Sequence, residues 1–281
     1  MLTALKRDPD HLWLAGVDSM ALQESLRNLD RAYKNFFEKR AGCPKFKAKR
    51  DSRQSYRTRN NKKDNIRIEG DRIRLPRLGL VKARITRLPK GSIQNATVSR
   101  TSTGKYYVSL CCREEIEPKA NKGGEIGIDL GIRDLFVGSD GSRVPNPKHL
   151  AKHERKLRRE QRRLSRRQKG SANREKQRRK VAKVHEKIYN CRTDDLNKAS
   201  YRLVNENQVI AVESLNVKGM ARNHRLAKAI SDASWSRFIT MLEYKAFEYG
   251  CTVLKVPTFY PSSQTCSCCG YKDPKVKDLS A

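Results

Sequence analysis

The chain has 281 residues, with 62 Lys and Arg against 30 Asp and Glu and a formal net charge of +32. That excess argues against an ordinary enzyme of small molecules and for a polyanionic partner, because each neutralised phosphate releases condensed counterions. The length allows two or three modest domains with real cores.

Two polyanions come into question, nucleic acid and an anionic membrane surface. Aromatic residues among the basic ones (Tyr56, Tyr106, Tyr107, Tyr189) favour nucleic acid, since bases stack on them. No apolar run approaches the ~18 residues of a bilayer span. The opening MLTALKRDPDHLWLAG is broken by charges and Pro9, unlike a signal peptide. Of the eight cysteines, Cys111 and Cys112 are adjacent and Cys266, Cys268 and Cys269 are clustered. This spacing does not make a secreted disulfide framework, and it implies a reducing cytoplasm. No internal repeat is present.

Residues 17–40 predict a helix capped by Asp18 or Ser19. Leu22, Leu26, Leu29, Tyr33 and Phe36 fall on one stripe, expected to face a core. From residue 43 the pattern changes. NIRIEGDRIRL alternates apolar and charged residues around a Gly-Asp turn, and ATVSRTSTGKYYVSLCC does so around Gly104. Residues 43–122 therefore predict antiparallel hairpins forming a small basic sheet or barrel, punctuated by Pro44, Pro76 and Pro89. GGEIGIDLGIRDLFVGSD at 123–140 predicts two adjacent strands opening a new domain, closed by Pro145 and Pro147.

Residues 149–190 predict a helical hairpin. Leu150, Leu157 and Leu164 recur every seven residues, Val181, Val184 and Ile188 continue a thin seam, and KGSAN breaks the helix between them. From Lys152 to Lys187 there are 17 Lys or Arg against four Glu. One sign on nearly all of the solvated face favours a nucleic-acid contact over a mixed-charge coiled coil. The candidate contact residues are Arg155, Arg158, Arg159, Arg162, Arg163, Arg166, Arg178 and Arg179. A helix at about 193–206, a buried strand QVIAVESL, a helix at about 233–249 and a strand CTVLKVP follow. Strands alternating with helices imply an α/β layer.

Two acids stand out. In EIGIDLG, Asp129 lies between glycines on a strand whose Ile126, Ile128 and Leu130 face the other way. Glu213 ends the apolar run of VIAVESL. An acid on a buried strand costs free energy unless it is paired or holds a cation, and the flanking glycines leave room for a bulky group. Either acid alone could cap a helix or pair with Arg. Together, in so basic an α/β chain, they suggest Mg²⁺ held by carboxylates and substrate phosphates. The five histidines lie mostly in charged stretches, so no Ser-His-Asp arrangement competes. Near the end, Cys266 and Cys269 form a Cys-x-x-Cys turn closed by Gly270, half of a zinc knuckle.

Four stretches resemble the TnpB (OrfB-type) family of bacterial and archaeal insertion sequences. They are LRNLDRAYKNFFEKRAGCPKFKAKR, EIGIDLGIRDLFVGSDG, VIAVESLNVKGM, and SDASW through to TCSCCGYKD, and with their intervals they cover nearly the whole chain. The resemblance implies an RNA-guided DNA endonuclease related to type V CRISPR effectors, with a RuvC-like domain of RNase H-like fold. The implied domains are an N-terminal helical segment (1–42), a wedge-like β-rich nucleic-acid-binding domain (43–122) and the RuvC-like domain (123–281). The partners implied are a guide RNA and a DNA target. Asp129 and Glu213 match two catalytic acids that bind Mg²⁺. Cys266 and Cys269 match the first pair of a Zn²⁺ ribbon at 262–281.

The family's second Cys pair and third catalytic Asp have no match here, and the family begins before Met1. On this reading the chain is trimmed at both ends, with impaired cleavage and weak or absent zinc. A cleavage-incompetent nucleic-acid binder or guided DNA blocker is the alternative, and a basic structural component of a ribonucleoprotein is a further one.

Overall fold

A computed structural model describes residues 2–46, 48, 54–61, 64–258, 269 and 271. The chain divides into two compact units, Met1–Glu115 and Ile116–Ala281.

The first unit opens with a short helix α1 (Leu2–Leu5), a 3-10 segment (Pro9–Gly16) and a long helix α2 (Ser19–Phe37). Asp18 caps α2 by accepting the Met20 N–H at 3.1 Å, which satisfies one of the first turn's orphan donors. The expected core-facing stripe is overturned: Leu26, Leu29, Tyr33 and Phe36 are 36–49% exposed, while Ala21 and Glu24 on another face are buried. The reason is electrostatic. Glu24 accepts from Arg27 at 3.0 Å and from Arg59 at 2.5 Å, and Arg59 ends the strand against which α2 lies.

Six strands follow: β1 (Gln54–Arg59), β2 (Arg67–Glu69), β3 (Arg72–Leu75), β4 (Gly79–Lys82), β5 (Ser92–Arg100) and β6 (Tyr106–Arg113). They form two three-stranded antiparallel sheets, ordered β1-β5-β6 and β2-β3-β4. Both predicted hairpins are present, turning at Gly70 (φ +59°) and Gly104 (φ +89°), where the left-handed backbone suits glycine. Ile66, Ile73, Leu75 and Ala96 form the core between the sheets.

The second unit holds β7 (Gly124–Leu130), β8 (Asp134–Gly138) and β9 (Arg143–Pro145), then α3 (His149–Ser165) and α4 (Ala172–Glu206). After them come β10 (Asn207–Glu213), α5 (Val217–Met220), α6 (Ala227–Ala233), α7 (Trp235–Tyr249) and β11 (Thr252–Val256). The five-stranded sheet is ordered β11-β10-β7-β8-β9. Its β11, β10 and β7 run parallel, and β8 pairs antiparallel with β7 on one side and β9 on the other. Parallel neighbours need crossovers, and the helices supply them.

Ile126, Ile128 and Leu130 of β7 and Ile210 and Val212 of β10 share a core with Leu203 and Val204 of α4 and Trp235, Phe238 and Leu242 of α7. The Phe136 and Phe238 rings stack at 5.8 Å between centroids.

Two expectations change here. The first hairpin of this unit continues into a third strand, β9, rather than closing at Pro145. The second arm of the helical hairpin and the separate helix at 193–206 are one helix of 35 residues, α4, about 50 Å long. No Gly or Pro interrupts NCRTDD, and Leu196, Leu203 and Val204 carry the apolar face on into the core. The predicted break does occur at KGSAN, where Ser171 caps α4 by accepting the Arg174 N–H at 3.2 Å.

Candidate functional site

The parallel register of β10 and β7 pairs Ala211 with Gly127 and Val212 with Ile128. The next residues along are Glu213 and Asp129, so strand alternation puts both acids side by side on the face opposite the core. Asp129 is exposed and Glu213 half-buried. This corrects the expectation of two buried acids: the apolar residues of β7 bury one face only, and Asp129 stands on the other. The Glu213 carboxyl is pushed above the ordinary carboxylate range, first by burial, then by the Asp129 charge, then by hydrogen bonding to Asp129. The two groups resist joint ionisation, and a cation between them would relieve that repulsion. Adjacent hard oxygen donors of this kind suit a hard divalent ion. Among the described residues no third His, Cys, Asp or Glu completes a larger metal-binding group.

Of the glycines flanking Asp129, Gly131 has a steric cause of its own: a Cβ there would lie a tight 3.0 Å from the Asp134 carbonyl oxygen at the turn into β8. On Gly127 a Cβ would meet Ser139 at an ordinary 3.7 Å. The Gly127 N–H donates to Ser139 Oγ at 3.1 Å.

On the hairpin, all eight candidate arginines are exposed. Arg158 pairs with Glu154, Arg159 and Arg163 lie 3.5 and 3.4 Å from Glu160, and Arg178 lies 3.1 Å from Glu175. Arg155, Arg162, Arg166 and Arg179 make no ion pair among the described residues. Leu157, Val184 and Ile188 form the expected apolar seam, with Leu150 and Val181 packed beside them. The seam also holds a buried polar pair that apolar periodicity could not reveal. Gln177 Nε2 donates to Glu160 Oε2 at 2.7 Å, and this hydrogen bond leads the causes that hold the Glu160 carboxyl below its ordinary range.

Of the proposed ribbon, Cys269 is an exposed turn residue, and Cys266 lies outside the described residues. His149, in one of the charged stretches, is largely covered and lies 2.5 Å from Asp195. Sequence reasoning missed Asp232, Arg192 and Trp235. For Asp232 and Trp235 the signal was present in SDASW, an acid just ahead of an aromatic helix, whereas Arg192 had none, and only contacts across 40 or more residues give the three meaning.

Residues 109–224 match the OrfB_IS605 family, described as "Probable transposase". Residues 235–280 match the Cas12f1-like TNB domain. A Streptomyces pristinaespiralis protein named "Putative RNA-guided DNA endonuclease" is 39% identical over 278 residues, covering 96% of this chain and 67% of the relative. "Putative RNA-guided DNA endonuclease InsQ" of Escherichia coli (strain K12) is 36% identical over 286 aligned residues, covering 96% and 70%. The chain therefore belongs to the TnpB (OrfB-type) family of insertion-sequence proteins. A chain of the Cas12f1–sgRNA–target DNA complex, solved by cryo-EM, has a similar fold with a TM-score of 0.55 at 15% identity. That match covers 92% of this chain and 64% of the other, so the chain spans about two thirds of the length of these relatives.

Proposed function

We propose that this chain binds a guide RNA and a DNA target as an RNA-guided endonuclease of an insertion sequence, with a RuvC-like, RNase H-like second unit. The observation that carries the reading is Asp129 beside Glu213 on adjacent parallel strands, in a chain of net charge +32. The two acids would hold Mg²⁺ against a phosphodiester. The ion, when bound, polarises a phosphoryl oxygen and lowers the pKa of a coordinated water.

The protein's own contribution is to bind and orient. Exposed arginines of α3 and α4 neutralise phosphates, the basic sheets of the first unit hold further backbone, and the fixed strands keep the acids in place. Asp129 and Glu213 would share the neutralisation of developing charge, so removing either should slow cleavage by about two to three orders of magnitude. Cys266 and Cys269 would supply two of the four ligands of a tetrahedral Zn²⁺. Zinc retained through dialysis against a chelator by the wild type and not by Cys269→Ala would support that.

The test is DNA cleavage by the chain with its guide RNA across a Mg²⁺ titration. Cleavage that disappears in Asp129→Ala supports the reading. Cleavage equal in both proteins refutes the site. A second reading, binding without cleavage, is supported by the arginines of the hairpin, whose charge does not depend on the acidic pair. Salt-sensitive binding with no cut product at any Mg²⁺ concentration would select it.

A further inference from the structure

The junction of α6 and α7 touches both halves of this machinery, through Asp232 and Trp235. Ser234 is the hinge, with φ +55° in the left-handed region that non-glycine residues seldom take. Its N–H donates to the Ile230 carbonyl at 3.3 Å, and its own carbonyl accepts the N–H groups of Arg237 and Phe238 at 3.0 and 3.1 Å. Its Oγ donates to the Ser231 carbonyl at 3.0 Å. The corner is thus held from both sides.

Asp232, two residues earlier, is 8% exposed. Its two carboxylate oxygens accept the Leu150 N–H at 3.2 and 3.0 Å. Leu150 lies in the first turn of α3, a helix that lacks a side-chain cap of its own. Asp232 therefore supplies that cap, and a negative charge at the positive end of the helix, from 82 residues away. Arg192 of α4 reaches the same carboxylate at 2.5 Å. One acid thus ties the roots of both basic arms, and Lys228 of α6 adds a pair with Glu154 of α3 at 2.6 Å.

Trp235, on the other side of Ser234, is 2% exposed. Its indole N–H donates to the Gly131 carbonyl at 3.2 Å. Gly131 directly follows β7 and lies two residues beyond Asp129. The same corner thus grips the arms through Asp232 and the end of the Asp129 strand through Trp235.

We propose that Asp232 and Trp235 are positioning residues, which set the basic arms and the Asp129–Glu213 pair in one register. Phosphates bound along the arms are then presented at a fixed offset from the carboxylates. This rests on the proposed function above. Neither residue meets nucleic acid or cation directly: Trp235 acts on the pair through the β7 backbone, and Asp232 acts on the arms through the α3 terminus.

The experiment uses the full chain with two readouts, Mn²⁺ binding followed by electron paramagnetic resonance and DNA binding across a salt series. Trp235→Phe keeps an aromatic ring and removes the donor. Mn²⁺ affinity should fall about ten-fold, as for other groups that orient ligands from behind, with DNA affinity and salt slope unchanged. Asp232→Asn should do the reverse, lowering DNA affinity and flattening the salt slope while Mn²⁺ binding persists. A merely structural role would move both readouts together with the melting temperature. Unchanged readouts in both variants, or parallel losses in both, overturn the proposal. If Trp235→Phe does not fold, replacement by the isosteric benzothienylalanine, which lacks only the N–H, separates the same two outcomes. If the wild-type chain binds no Mn²⁺, the metal-site reading fails, whereas the corner is still tested by the Asp232→Asn salt slope.

Discussion

The Glu213 carboxyl carries a testable cost. Its folded-state pKa is raised by burial and by Asp129, so the folded protein holds a proton that the unfolded chain has already released. Stability therefore falls as pH rises through the window between the ordinary and the raised value. Asp129→Asn removes the neighbouring charge. In metal-free buffer above that window it should raise the melting temperature by roughly 2–4 °C, the effect of about 1 kcal/mol in a chain of this size. Millimolar Mg²⁺ should stabilise the wild type by mass action and the variant much less. An equal Mg²⁺ response in the two proteins would place the cation elsewhere.

Lys245 behaves oppositely. It is buried, donating to the Asn197 carbonyl at 2.6 Å and Ser200 Oγ at 2.8 Å, and burial pulls its pKa down. The unfolded chain then binds the extra proton, so stability rises with pH through the window between the lowered and the ordinary value. Lys245→Met fills the same space without the charge. It should shift stability at neutral pH by no more than about 1 kcal/mol while abolishing the alkaline rise, as read from denaturation midpoints across pH.

At the scale of elements, the basic hairpin is held by a thin seam and the rest of α4 by a full core. Leu157→Ala leaves a void against Val184 and Ile188, at a cost of about 2–5 kcal/mol. The damage should stay local. Hydrogen exchange should quicken in α3 and in α4 up to about Ile188, whereas amides around Leu203 and Val204, packed in the main core, stay protected. Uniform acceleration along all of α4 would mean that the helix opens as one unit.

Helix α2 teaches a related lesson. Its apolar stripe was legible, and so was its cap at Asp18. The buried face was not, because it is chosen by Glu24 meeting Arg59 of β1, a contact between segments that no periodicity connects.

For the molecule as a whole, the excess of basic charge should dominate affinity. Replacing Arg155, Arg162, Arg166 and Arg179 with Ala removes four exposed guanidiniums that have no acidic partner among the described residues. If each contacts one phosphate, the slope of log K against log salt on duplex DNA should fall by about 3–4. An unchanged slope would move the nucleic acid to another surface. The charge, the alternating hairpins, the two strands bearing Asp129 and Glu213, and the break at KGSAN were all determined by sequence alone, because each is a local pattern with a local cause. What only the tertiary structure decided is everything that depends on distant segments meeting. The register of β10 on β7 sets the two acids side by side, Asp232 caps a helix 82 residues away, and Trp235 holds the backbone beyond Asp129. Side-chain spacing fixes which face a residue takes within its own element. Which elements then become neighbours is settled by burial of the shared core.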